Sequence, residues 1–457
     1  MVGMQTTATR APVLRLLAGV LGLGSVAFLL VEHAPGLSVS GRLTLGVFAV
    51  AIAGWTLTKI DDTYIGLAAA VALVAIGVVS RNELFATLGD DTIWLLVAAF
   101  VLAAGVTATG LPTRVATAMA TRARSVRGLA HLTTAALLAS AFVIPSTSGR
   151  AALALPVFLA LADALADRPR VVRALAILFP TVILLSAIAS LPGAGAHLIT
   201  SRLLANTTGH EIGFAHWMLL GLPFALVSSH SATELVLFLF TTKADRRLGL
   251  SLHLPTSALS SAERRCAVLV LAVGIAWAAG APATIVAVLA ALVVTAPKFG
   301  TVTLNKALTG VPWPLLVFMA SVTALGTGLS NSGAAKWLAE RLLTGVSPDA
   351  LLVVAVAVST AAHLLVQSRS ARSSVLVPLL IPAATAVGLN PAAVAFASTA
   401  AAGFCHTLPS SAKATAMFEG YRTADLVRLA VFLGPLTGLL VLAFATGVWP
   451  HLGLPLR

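Results

Sequence analysis

The sequence predicts an all-α, polytopic membrane protein of about 11 transmembrane helices, with two inverted repeats and two re-entrant helical hairpins. Three observations lead there. Of 457 residues, 58% are hydrophobic and 10% charged, with a mean hydropathy of +0.98, whereas a soluble domain carries about 25% charged residues. Apolar runs recur from end to end, near 12–31, 43–58, 64–80, 92–110, 129–164, 172–207, 216–241, 265–280, 282–297, 311–329, 350–387, 391–418 and 424–448. Two of them, 129–164 and 350–387, are too long for one crossing, since a span needs about 20 residues.

This composition excludes a soluble enzyme with a single anchor. Two cysteines, Cys266 and Cys405, are too few for a disulfide framework or a cysteine metal cluster, and no cofactor is expected. The net charge of +13 reads as the basic excess of cytoplasmic loops, with membrane lipid rather than nucleic acid as its surroundings. The bias toward Arg over Lys and the abundance of Ala point to a bacterial inner membrane. The first apolar run, 11–31, is long enough to remain a span.

Each long run is broken by a polar cluster. The first is Ser146-Thr147-Ser148-Gly149-Arg150 and the second Gln367-Ser368-Arg369-Ser370-Ala371-Arg372-Ser373-Ser374. An apolar arm on either side makes each a hairpin whose tip reaches mid-membrane, where non-helical backbone survives only against protein or a water-filled cavity. With a cytoplasmic N-terminus and both hairpins returning to their own side, 19 basic residues face the cytoplasm and 6 face outside. That asymmetry satisfies the positive-inside rule. The order of elements also recurs: a span from Trp94 or Trp313, an amphipathic stretch (112–124 or 334–344), a hairpin, then an interrupted span. The intervening segments place the two hairpins on opposite sides, which is the inverted-repeat pattern of secondary transporters.

The first tip run continues to Pro156 and the second to Pro378. The first break reads Gly193-Ala194-Gly195-Ala196-His197-Leu198-Ile199, and the second Leu408-Pro409-Ser410-Ser411-Ala412-Lys413-Ala414-Thr415. At these runs, and from about Thr92 to the end, the chain resembles the divalent anion/sodium symporter family, within the ion transporter superfamily of elevator transporters. That family carries a Ser-Asn-Thr run at each tip and a Thr-Pro-Pro-Asn break in each interrupted span. The resemblance implies a small divalent anion as substrate (a dicarboxylate or sulfate), an elevator movement and a homodimer. It also implies a division into scaffold (1–128 and 264–345) and transport halves (129–241 and 346–457). The substrate site is expected at Ser146, Thr147, Ser148, Gly149, Arg150, Ser368, Arg369, Ser370 and Arg372. Gly193, Gly195, His197, Ser410, Ser411, Lys413 and Thr415 are expected to line the breaks.

The chemistry of the tips agrees. A helix restarting at mid-membrane points unpaired amides and its positive dipole end into the cavity, where carboxylate or sulfate oxygens bind. Arg150 and Arg372 hold equivalent places in the two halves, and two planar guanidinium forks match one dianion. Pairing with nearby acids or snorkelling to a surface is the competing reading. Arg369 and Lys413 stand between the two. His197, His406 and Glu234 are candidate proton carriers, Glu234 also as the counter-ion of an arginine. No metal site is expected in the main reading. Where the family places asparagines, this chain has Thr147, Arg369, His197 and Thr415, so exchange without sodium, or proton coupling, is expected. Sodium symport with Ser146, Ser148, Ser368 and Ser370 as ligands is the alternative. An oxyanion exporter and a multi-span enzyme on lipid-linked substrates are the further rivals.

Overall fold

The computed structural model describes residues 35–58, 60–247, 249–250, 258–279, 281–342, 346–366, 368–407 and 412–457. The first apolar run, Gln367, Ser410 and Ser411 lie outside the described residues, as does the side chain of Lys413. Among the described residues every regular element is a helix, and the sole bridge joins Ser125 to Gly249. Six helices are long and apolar enough to cross a membrane, and five shorter apolar helices accompany them. Exposed Val268, Leu271, Leu289, Phe432 and Leu439 give the molecule the apolar outer surface that lipid requires.

Helices α1 (Val39–Leu57) and α2 (Asp62–Ala75) start behind side-chain caps from Ser38 and Asp61. Next come α3 (Asp91–Ala108), the amphipathic α4 (Leu111–Ala120) and the first hairpin, α5 (Val126–Ala139) and α6 (Thr147–Ala164). The first interrupted span is α7 (Pro169–Leu185), two 3-10 turns through Gly193, and α8 (Gly195–Thr208). The half closes with α9 (Phe214–Phe240). After α10 (Ser261–Ala278) and α11 (Ala283–Val294), the order repeats with α12 (Trp313–Asn331) and α13 (Ala334–Leu342). The second hairpin is α14 (Pro348–Ala361) and α15 (Arg369–Ala386). The second interrupted span is α16 (Pro391–Ala401), a break, and the four-residue helix Lys413–Ala416, followed by α17 (Thr423–Gly447).

The recurrence extends to the caps. Serines 125 and 146 cap the arms of the first hairpin, and serines 347 and 368, each 222 residues later, cap those of the second. Pro169 and Pro391, also 222 apart, both occupy the first turn, where a missing N–H costs nothing. Ala194 and Ala412 cap the restarting helices in the same extended conformation, with φ −154° and −153°.

Helix α7 is the central post, buried without interruption from Ala174 to Leu185. Ion pairs tie neighbouring elements to it and to one another. Arg173 on α7 grips Asp425 of α17 with two bonds of 2.9 and 2.7 Å, joining the halves. Arg202 on α8 pairs with Asp90 at the start of α3. Arg114 on α4 pairs with the buried Glu263, which precedes the apolar run of α10, at 2.5 Å. The Ser260 backbone amide and then Arg114 hold the Glu263 carboxyl below its ordinary range. A carboxyl depressed on folding stabilises above its unfolded pKa, and the contribution is lost as pH falls through the folded value. The gap in thermal unfolding midpoint between the protein and Glu263→Gln is therefore expected to be full at neutral pH and to close on acidification below about pH 4.

Candidate functional site

Both hairpin tips end on α7. Ser146 Oγ accepts from the Gly149 amide at 3.3 Å and Ser368 Oγ from the Ala371 amide at 3.2 Å, so each restarting helix begins at a capped, fixed point. Arg150 and Arg372 each follow their cap by four positions, and Arg369 follows its cap directly. From the first tip, Arg150 Nη1 donates to the Ile183 carbonyl at 2.9 Å. From the second, Arg369 Nη1 donates to the adjoining Leu184 carbonyl at 3.3 Å. These consecutive carbonyls in the last turn of α7 bring an arginine from each tip to one place. Gly195 is part of the same junction, because a Cβ there would stand 3.0 Å from Ser370 Oγ. Gly193 is needed for packing, since its Cβ would meet the Ala187 carbonyl oxygen at 2.2 Å.

The two equivalent arginines differ in their partners. Arg150, 1% exposed, donates from Nε to Ser140 Oγ at 2.9 Å and from Nη2 to Leu137 O and Ser186 Oγ at 2.5 and 2.6 Å. With Ile183 O, its guanidinium caps the C-terminal ends of both α5 and α7, where helix dipoles favour a cation. Neither expected alternative, an acid or a surface, holds it. Arg372 is equally buried, yet among the described residues its guanidinium makes a single 3.5 Å contact, from Nη1 to Phe404 O. Among the described residues its Nε and Nη2 have no hydrogen-bond partner, and neither do Nε and Nη2 of Arg369. The sequence explains the difference. Ala362 caps α14 where Ser140 caps α5, so one hydroxyl is missing. Thr407, which follows Phe404 as Ser186 follows Ile183, is taken by His363 Nε2 at 2.7 Å.

Other buried polar atoms on the same segments are also without partners among the described residues: Ser190 Oγ and His197 Nε2 at the first break, Ser373 Oγ on α15, His406 Nε2 and Thr415 Oγ1 at the second. Tautomers follow from the other ring nitrogens. His197 Nδ1 lies 3.1 Å from the Ser190 carbonyl and must donate, leaving Nε2 as an acceptor. His406 Nδ1 accepts from the Cys405 amide at 3.2 Å, so Nε2 carries the proton and is a donor. The set therefore offers two guanidinium edges, an imidazole N–H and hydroxyls, and no ion pair among the described residues gives these arginines a carboxylate. Burying an uncompensated charge is costly, which makes an anion the natural complement.

Thr147 and Ser148 lie half-buried in the first turn of α6. Glu234 is on α9, bonded to Arg127 and His131 and away from the tips. Sequence reasoning passed over Ser140, Ser186, Ser190, Ser373 and the pair His131–His230. A comparison of the two cap serines with their counterparts was the signal for the first two. A cavity of about 650 Å³ opens between the start of α3, α8 and the α10–α11 junction, and reaches Leu191 and Leu198 beside the first break.

Two hairpins and two broken helices meeting inside a polytopic helical bundle define a secondary transporter, not an enzyme. Comparison with known proteins agrees. Residues 10–401 match the family CitMHS, described as citrate transporter, and the chain belongs to that family. It is 24% identical over 387 residues to a protein named only as a membrane protein in Cupriavidus necator, covering 77% of this chain and 75% of that one. It is 23% identical to the sodium-dependent dicarboxylate transporter SdcS of Staphylococcus aureus, covering 84% and 82%. The crystal structure of the YdaH transporter of Alcanivorax borkumensis shares the fold, with a TM-score of 0.53 and 15% identity, covering 92% of this chain and 99% of the other. The kinship expected from the tips and breaks is thereby established.

Proposed function

We propose that the protein carries a small di- or tricarboxylate across the bacterial inner membrane, with Arg369 and Arg372 holding the carboxylates and Arg150 positioning the first tip. The observation that carries this reading is the pair of guanidinium groups at the second tip whose buried Nε and Nη2 atoms have no hydrogen-bond partner among the described residues. Two such charges match a dianion. The citrate and dicarboxylate named for the family and for SdcS are anions of this kind. Sulfate has the right charge but is smaller, and serves as a competitor in the test. His406 and the hydroxyls of Ser373 and Thr415 complete the donor set, while His197 Nε2 accepts. Coupling is to exchange or to protons, without sodium. The movement is an elevator of the transport halves (129–241 and 346–457) against the scaffold (1–128 and 264–345), within a homodimer. The Arg202–Asp90 pair crosses that division and would break on each stroke.

Proteoliposomes loaded with unlabelled succinate or citrate are expected to take up the labelled anion by counterflow. No saturable uptake of any di- or tricarboxylate would overturn the assignment. The topology is tested separately. Cysteines replacing Arg124 and Arg246 are expected to label from the cytoplasm only, and one replacing Lys336 from outside only. One common side for Arg124 and Lys336 would make the repeats parallel and remove the inverted arrangement.

A further inference from the structure

A second polar cluster lies outside the tips, on the facing sides of α5 and α9. His131 Nδ1 and His230 Nδ1 are 2.8 Å apart, with the rings stacked at 5.0 Å. His131 Nε2 lies 2.5 Å from Glu234 Oε1, which also accepts from Arg127 Nε at 2.7 Å. One turn further along, Thr134 and Thr233 share a buried hydroxyl bond of 2.7 Å. Two like nitrogens at that distance hold one proton between them. Glu234, already accepting from Arg127, also accepts a hydrogen bond from His131 Nε2–H. His131 Nδ1 is then bare and accepts from His230 Nδ1–H. The chain runs His230 → His131 → Glu234 ← Arg127, and its one open proton site is His230 Nε2.

We propose that the His131–His230 dyad is a proton-binding site that loads one proton with the transported anion. This rests on the anion assignment above. Before loading, both rings are neutral and the Glu234 charge offsets Arg127. The added proton goes to His230 Nε2 and leaves an imidazolium, with Glu234 held through His131 as its counter-charge. Unperturbed imidazoles exchange protons near neutral pH.

The other charged and titratable groups on elements packed against α5 and α9 have their own settings. Arg114 pairs with Glu263, Arg173 with Asp425, and His216 Nε2 with the Leu452 carbonyl. Asp245 accepts from Thr242, Arg246 donates to Leu237 O, and Arg428 lies over Phe240. Arg170, Lys243, Arg247, Arg264 and Arg265 add positive charge near the ends of these elements. Glu234 is thus the carboxylate in hydrogen-bond contact with the dyad.

The dyad communicates with the tips along α5, whose Leu137 carbonyl holds Arg150. His131 and Leu137 are six residues apart, about 9 Å along a helix. An electrostatic coupling of about 1.4 kcal/mol between the dyad and the tips changes anion affinity roughly tenfold. By linkage, bound anion raises the proton affinity of the dyad by the same factor.

Binding of labelled succinate and of labelled citrate to the purified full-length protein is measured from about pH 5 to 8. Affinity is expected to rise about tenfold toward the acid end in the wild type. It should be flat in His230→Gln and His131→Gln, and shifted to lower pH in Glu234→Gln. His210→Gln, on an exposed loop, is expected to match the wild type. Histidine ¹⁵N spectra give a readout that needs no substrate: His131 and His230 should titrate together, taking up one proton. An unchanged pH profile in His230→Gln, or dyad resonances that do not titrate, overturns the proton site. Absence of anion binding with a titrating dyad instead overturns the carboxylate assignment alone.

Discussion

Arg372→Ala and Arg369→Ala are each expected to abolish saturable anion binding while leaving the purified protein folded. Arg372 Nε and Nη2 and Arg369 Nε and Nη2 have no hydrogen-bond partner among the described residues, so truncation removes few native contacts. It also relieves the cost of a buried charge without a carboxylate. The bound anion, by contrast, loses a charge-assisted fork inside a low-dielectric site. Truncating one member of such a pair costs on the order of 3 kcal/mol, roughly a hundredfold in affinity. Arg372→Lys should fail as well, because an ammonium group cannot supply two parallel N–H bonds. The measurement is equilibrium binding of labelled succinate and citrate beside thermal unfolding in the same detergent. Wild-type affinity in both alanine variants would make these arginines part of the scaffold.

The fold was legible in the sequence because its causes are local. Serines 146 and 368 announce restarting helices, prolines 169 and 391 open the interrupted spans, and the lengths of the two long runs demand hairpins. The site was legible only as a set of candidates. Equivalent positions for Arg150 and Arg372 suggested equivalent roles, and the repeat bears out the positions without equalising the surroundings. What separates them is a single hydroxyl at residue 140 against a methyl at residue 362, and the capture of Thr407 by His363. Those differences lie in residues that carry no charge and no motif. The His131–His230 contact was hidden for another reason: the residues are 99 apart in sequence, and each alone looks like a packing histidine.

Removing Arg150 is expected to damage the protein rather than the anion site alone. Arg150→Ala removes the cation shared by the Leu137 and Ile183 carbonyls and the Ser140 and Ser186 hydroxyls, four hydrogen bonds in all, while Ser140 still donates to Leu137 O and Ser186 to Val182 O. Hydrogen bonds to a charged group contribute about 1.5–3 kcal/mol each, and the emptied volume adds more. A loss of about 4 kcal/mol is expected in unfolding measurements, far beyond that of Arg372→Ala. The same geometry bears on coupling. A guanidinium fixed among two helix C-termini supplies permanently the positive charge that a mobile cation would otherwise bring. A sodium ion about 4 Å from it would meet a repulsion of about 4 kcal/mol at an effective dielectric of 20, roughly a thousandfold loss of affinity. Counterflow of labelled succinate and citrate in sodium-free buffer is therefore expected to equal that in sodium. In Arg150→Ala, added guanidinium ion should restore part of the lost stability, because it fits the vacated space and makes the same planar bonds. Sigmoidal, absolute dependence of the wild type on sodium would show that the fixed charge of Arg150 does not stand in for a bound cation. Stability unchanged in Arg150→Ala would remove its role as the brace between α5 and α7.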